Sequence, residues 1–418
     1  MKKNYPPQFW LIIGCILMVN GPVLSQNNTS SPYSMYGLGE LRFQSNPHNS
    51  AMGNAGIGMA SDNFLNTLNP ASYSTLDSMT FLFEMGVDGQ FSEYKSRNKT
   101  ASSLDANFSY LALGLRINRW VSAGFGLNPY SSTGYEINTT SVIGGIQQDY
   151  PLSIIGSGDI SRAYFTTSFT PIKKLSLGLK ASYLFGNQSQ NQYHDLTKLG
   201  TVSISNETTD YFNNFYWEFG IQYQLQHKSS TLRLGAIYNP RQQLQTRRVN
   251  TTSNSADVIL QYEEESTGEF VIPEEIGLGF SWQKGTNLLV AMDVGMQRWS
   301  DESYDILGVE LNNNPYFHGG MEYLPSSNLR DAYYKRMNYR LGFQYAQSYL
   351  NLRDIQLDEV VLSFGLGLPI QNQKSRIDMS FEFGKQGTTN KNLIQENFFR
   401  FRLGFSLKDT WFSRPKYN

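Results

Sequence analysis

The 418-residue chain carries 34 basic and 35 acidic side chains, a net charge of -1, which lacks the basic excess expected of a nucleic-acid-binding protein. Its 26 Tyr, 26 Phe and 36 Gly exclude a disordered chain. With only 17% charged residues, this composition suits strands that turn one face to lipid and the other to polar groups, although the mean hydropathy of -0.40 resembles that of a soluble protein.

Residues 1–25 read as a signal peptide. Lys2 and Lys3 form its positive end, residues 9–19 its apolar stretch, and Val23-Leu24-Ser25 precedes a cleavage point before Gln26. The only cysteine, Cys15, follows Ile12-Ile13-Gly14, as in a lipobox, but the apolar run continues through Val19. A lipobox closes that run, so cleavage after Ser25 is favoured over acylation of Cys15. The mature chain is then free of cysteine and of thiol chemistry.

Residues 26–78 do not alternate and are rich in Gly, Asn, Ser and Ala. From residue 79 to 408 the pattern is alternation with a period of two, and no run of ~18 apolar residues marks a spanning helix. The last segment is the clearest: Phe399, Phe401, Leu403, Phe405 and Leu407 alternate with Arg400, Arg402, Gly404, Ser406 and Lys408. Segments starting at Phe81, Leu111, Val121, Leu175, Trp217, Ile276, Leu288, Tyr339, Leu362 and Ile377 repeat it, and those at Ala163 and Leu232 do so less regularly. Short polar turns at 118–119, 171–174, 227–230, 284–286 and 371–374 alternate with long Asn/Ser/Thr-rich connections at 136–158, 188–210, 246–267 and 300–330. A soluble antiparallel sandwich also alternates, but strands close to the ~9–11 residues that cross a tilted bilayer and this asymmetry of connections favour an all-β transmembrane barrel. The first strand runs outward and the last inward, so the number is even. Thirteen segments are visible, and a weak strand near 349–357 would complete about 14. Residues 409–418 form a tail.

Ser50-Ala51-Met52-Gly53-Asn54-Ala55-Gly56-Ile57-Gly58-Met59-Ala60, followed by Asn69-Pro70-Ala71, resembles the amino-terminal hatch of the outer-membrane long-chain fatty acid transporter (FadL/TodX-like) family. Ser34-Met35-Tyr36-Gly37-Leu38-Gly39 and the ending Leu407-Lys408-Asp409-Thr410-Trp411-Phe412 resemble members from Bacteroidetes-type bacteria. The motif-level similarity covers residues 33–87 and the last strand. It implies a 14-stranded barrel in the cell outer membrane of a Gram-negative bacterium, with residues 26–78 as a hatch inside the lumen. Gly53, Gly56, Gly58, Asn69, Pro70 and Ala71 are its marker residues. Glycines permit close backbone approach in a crowded lumen, and Asn-Pro makes a local turn that stops strand or helix.

No catalytic motif is present, so the chain is not read as an enzyme. His48, His194, His227 and His318 are scattered, Glu263-Glu264-Glu265 reads as a solvated loop, and Gly124-Phe125-Gly126 and Gly365-Leu366-Gly367 are strand glycines without a following helix. Neither metal nor cofactor is expected. If the aromatic face meets lipid, then Glu84, Asp88, Arg116, Lys180, Glu218, Arg233, Asp293, Arg340, Asp378, Glu382, Arg400 and Arg402 face the lumen, where mixed signs predict ion pairs and bonds to the hatch. The resemblance implies uptake of a hydrophobic or amphipathic molecule such as a fatty acid. The alternative is a non-transporting barrel serving as subunit of an outer-membrane protein export or assembly complex. The expected partners are accordingly membrane lipid, that ligand and other outer-membrane proteins, and not nucleic acid. Transport predicts an apolar pocket beside the hatch and a gap or kink in the wall; a subunit predicts polar packing of the lumen and ordered loops.

Overall fold

The computed structural model describes residues 31–42, 45–142, 148–302, 309–370 and 375–410. The expected signal peptide with Cys15, the turn at 371–374 and the chain after Thr410 lie outside the described residues. The strands are β1 (Glu40–Leu41), β2 (Thr80–Lys95), β3 (Thr100–Arg116), β4 (Val121–Val142), β5 (Asp149–Ile172), β6 (Leu175–His194), β7 (Ile204–His227), β8 (Ser230–Asn239) and β9 (Gln242–Asn254). They continue as β10 (Ile259–Ile272), β11 (Glu275–Lys284), β12 (Leu288–Gln297), β13 (Val309–Leu311), β14 (Asn314–Tyr323), β15 (Asn338–Leu352), β16 (Ile355–Ile370), β17 (Ser375–Gly387) and β18 (Gln395–Thr410). Fourteen of them (β2–β8, β11, β12 and β14–β18) pair antiparallel around a ring that closes where β18 meets β2, from Gln395 opposite Lys95 to Thr410 opposite Thr80. Closure is what lets a sheet cross hydrocarbon, because no edge is left with unpaired N–H and C=O groups.

The alternation behaves as its chemistry demands. On β7, Phe215, Trp217, Phe219, Ile221, Tyr223 and Leu225 are exposed on the outside, while Tyr216, Glu218 and Gln222 are buried inside. On β18, Glu396, Phe398, Arg402 and Ser406 point inward and are buried. The outer apolar belt is finite: beyond Phe185 the next outward position of β6 is the exposed Asn187, and beyond Phe165 the outward side of β5 carries the exposed Asp159 and Ser157.

Two expectations are corrected. The strand missing from the alternating set is β14, Asn314–Tyr323, not a segment near 349–357. That segment is the β15–β16 hairpin, whose two turn residues, Arg353 and Asp354, both adopt positive φ (55° and 59°) between the paired Leu352 and Ile355. Pro315 and the adjacent Gly319 and Gly320 remove the side chains that would have shown the period in β14. The long Asn/Ser/Thr-rich connections are likewise not loops for the most part. β4 and β5 stay paired up to Val142 opposite Asp149, β6 and β7 up to His194 opposite Ile204, and β9 continues the sheet along β7 from Phe212 to Ile204. Strands of 22 to 24 residues rise roughly 70–80 Å along their axes, far more than a bilayer needs, so the upper parts of β4–β7, β9 and β10 stand clear of the apolar belt. Pro240 separates β8 from β9 and Pro273 separates β10 from β11, each lacking the N–H that a continuous ladder would use.

Phe401→Arg and Leu403→Arg on the outer face of β18 should each cost about 2–4 kcal/mol near the bilayer midplane. Refolding into lipid vesicles, followed by heat-modifiable gel mobility, measures this. Undiminished assembly with arginine at both positions would contradict the assigned lipid face.

Candidate functional site: the filled lumen

Residues 45–76 lie inside the ring of strands. Asn46 caps the short helix α1 (Pro47–Ser50), its side chain accepting from the N–H of Asn49 at 2.9 Å. The chain then turns through Gly53 and Asn54, both at positive φ, and runs across the lumen to Asn69-Pro70-Ala71, which opens a 3-10 turn, Pro70–Thr75. The segment sits this close to the wall because the wall has no side chains there. Gly178 and Gly220 are paired on β6 and β7 beneath Asn69, Pro70 and Ala71, and Gly235 and Gly279 are paired on β8 and β11 beneath Ile57 and Gly58. Gly320 and Gly342 are paired beneath Met52 and Gly53. A Cβ on Gly58 would approach the backbone of Phe280 to 2.6 Å. Gly56 differs: its own Cβ would meet Leu68 and Asn49, so it serves packing within the segment.

Inward polar groups satisfy the segment's backbone. Asp293 on β12 accepts from the N–H groups of Gly56 (2.6 Å) and Ile57 (2.8 Å). Gln222 donates to the carbonyls of Ile57 and Met59, and Ser281 to that of Gly58 at 2.8 Å. Asn69 donates to the Ile57 carbonyl at 2.8 Å and accepts from the Ala71 N–H at 3.0 Å, bridging two parts of the segment. Glu84 accepts from the Leu65 N–H at 3.1 Å, and Lys180 donates to the Thr67 carbonyl at 3.0 Å. Arg402 donates to the carbonyl and hydroxyl of Ser45 and to the hydroxyl of Ser50.

The same charges also neutralise one another. Glu218 holds Lys180 at 2.9 Å and Arg162 at 3.2 Å. Arg340 spans Glu322 and Asp378, which also takes Arg376 at 2.6 Å. Glu382 faces Arg400 at 3.1 Å and Arg402 at 3.3 Å, and Arg42 reaches Asp88 at 3.6 Å. Of the charges expected to face inward, Arg233 bonds to Gln224 at 3.3 Å. Arg116 lies at the short-turn rim, donating to the carbonyls of Leu76, Asn118 and Arg119. His48, stacked on Phe64 at 3.8 Å, is held well below its usual pKa by burial and by the nearby Arg340 and Arg376, so its 3.7 Å approach to Glu322 is not an ion pair. Among the described residues no cluster of His, Cys, Asp and Glu is arranged to hold a metal ion.

Above the segment, a cavity of about 270 Å³ is lined by Tyr164, Tyr216 and Tyr316 together with Asp88, Glu359 and Arg400. An apolar roof covers it at the long-strand end: Leu38, Ile160, Leu184, Phe212, Leu244, Phe270, Trp299 and Tyr349 pack together, with Trp299 stacked on Tyr349 at 4.2 Å. The amino-terminal residues belong to this roof. Tyr33 Oη donates to the Ile394 carbonyl at 2.6 Å and accepts from the Ile394 N–H at 2.9 Å. On one side the wall parts: β3 and β4 pair only from Leu111 to Arg116, and above that point β1 pairs with Ser131 and Ser132 of β4.

Arg162, Arg376 and Glu322, which pair with these charges, and the glycine seats were not singled out from the sequence. Glycines at inward positions of adjacent strands were the available signal.

The closed 14-stranded antiparallel barrel matches FadL-like barrels in fold. The fold is similar to the Ralstonia pickettii toluene transporter TbuX (TM-score 0.61, 16% identity, 87% of this chain and 98% of that one). It is similar also to the Pseudomonas putida toluene transporter TodX (0.57, 17%, 89% and 99%) and to a Pseudomonas aeruginosa FadL homologue (0.59, 12%, 90% and 100%). No curated protein matches the sequence significantly. The family model that matches, over residues 8–418, is BamG, and the chain belongs to the BamG family.

Asp293→Ala removes the acceptor for two N–H groups and should loosen residues 51–60 by about 1–3 kcal/mol. A cysteine placed at the buried Ala60 should then react roughly ten- to a hundredfold faster with an impermeant maleimide than in the parent. An unchanged labelling rate would show that Asp293 does not hold the segment.

Proposed function

We propose that this chain is a closed, non-conducting barrel subunit of an outer-membrane protein assembly or export complex, located in the cell outer membrane with its long strands outward. The observation that carries the reading is the filled lumen: an apolar roof, a cavity lined by charged, polar and apolar side chains, and the hydrogen-bonded segment follow one another along the axis. Membership of the BamG family supports it, as do the strands that rise beyond the apolar belt as ordered sheet. Residues 51–71 act here as the plug, with Gly53, Gly58, Asn69, Pro70 and Ala71 at the seats. Enzymatic chemistry has no place in this reading.

Uptake of a hydrophobic molecule is the second reading. The parting of β3 from β4 beside the cavity favours it, as does the likeness of the fold to the toluene transporters.

In a planar bilayer the purified chain should stay closed, and deletion of residues 51–71 should give discrete conductance steps. Conductance equal to that of the intact chain would remove the plug. A protease-cleavable tag at Asp257 should be cut on intact cells, and one at Ser229 only after the outer membrane is breached; the reverse would invert the topology. Extraction in mild detergent should bring down other outer-membrane proteins in fixed ratio. A bound fatty acid or hydrocarbon in fixed ratio, with no protein partner, would replace the subunit by the transporter.

A further inference from the structure

β10 is an edge strand in its upper half. Its ladder residues all belong to the pairing with β9, from Ile259 opposite Ser253 down to Ile272 opposite Gln242. The lower end, Phe270 to Ile272, is buried in or beside the roof, whereas every residue from 257 to 266 is exposed. No strand among the described residues pairs with its other side there. An edge of this kind presents a row of free N–H and C=O groups, a template for another strand.

Two rows of side chains cross this part of the sheet and end on carboxylates. On one face, Asp210 of β7 takes Arg248 of β9 at 2.8 Å, and Arg248 stands opposite Glu265 of β10. On the other, Arg247 of β9 lies over the Tyr211 ring at 4.4 Å and meets Glu264 of β10 at 3.4 Å. Charge alternates from strand to strand in the first row, both rows end on a carboxylate, and the next strand outward would meet Glu263, Glu264 and Glu265. Beside them, at the hairpin tip, Val258, Ile259, Leu260 and Tyr262 are each more than half exposed, apolar surface far from the lipid belt.

We propose that the free edge at residues 259–266 takes up an extended segment of a partner protein by strand addition, with lysine or arginine opposite the three glutamates and apolar residues against the tip. A second copy of this chain does not fit, because it would set glutamate against glutamate. Edge carboxylates also guard against indiscriminate pairing, and here they select by charge as well. The inference rests on the subunit reading above and names the chemistry of the partner.

Two measurements on the full-length chain test it. In detergent, a labelled peptide of about ten alternating lysines and valines should bind at least about tenfold more tightly than a peptide of equal charge whose central valines are prolines, which cannot ladder. Glu263→Lys with Glu265→Lys, at exposed positions that leave heat-modifiability intact, should weaken the first peptide by about tenfold or more. In cells, the same double variant should lose the proteins that co-purify with the parent. Equal binding of the two peptides, or unchanged affinity in the variant, would overturn the proposal. Partner retained at full ratio by the variant would overturn it while the subunit reading stands. No partner on the parent would sink the subunit reading, and the peptide comparison then decides the edge by itself. A dimer of the parent that the variant abolishes would assign the edge to a second copy and overturn the proposal too.

Discussion

The structure depends on one constraint: a backbone enclosed in a barrel, out of reach of bulk water, must find a partner for each of its polar groups. Strand ladders meet that requirement for most of the wall. Residues 45–76 have no ladder, so their N–H and C=O groups are met by turns and side chains within the segment and by inward side chains of the wall, with Asp293, Gln222, Ser281, Glu84 and Lys180 each aimed at a named backbone atom. Those side chains reach only because paired glycines on β6–β7, β8–β11 and β14–β15 bring segment and wall into contact.

The buried charges follow from the same constraint. A carboxylate or guanidinium in the lumen is expensive unless paired, and removing one member of such a pair leaves the other uncompensated. Glu218, Asp378 and Glu382 each serve two cations, which locks neighbouring strands together and fixes the side chains that also grip the segment. Such a network makes a specific, rigid filling.

Much of the wall was legible in the sequence. Wherever one face meets lipid the period of two is plain, as in β6, β7 and β18. It failed where that physics stops. Outside the lipid both faces are polar, so the upper halves of β4 to β7 read as loops. In β14, Pro315 and the Gly319-Gly320 pair erase the alternation, which moved the expected strand to a hairpin. Register along one strand fixes which side chains share a face; their partners depend on which strands become neighbours and on a segment hundreds of residues away. The edge of β10 was read only as an acidic run, because nothing local shows that a strand lacks a neighbour.

If the luminal segment is an integral part of the barrel, its amides are as protected as those of the wall. Hydrogen exchange followed by mass spectrometry, on the intact chain in detergent, measures this directly. The account predicts that peptides covering residues 51–60 exchange as slowly as those from the middle of β12 and β16. Complete exchange of residues 51–60 within seconds, with the strands still protected, would contradict it.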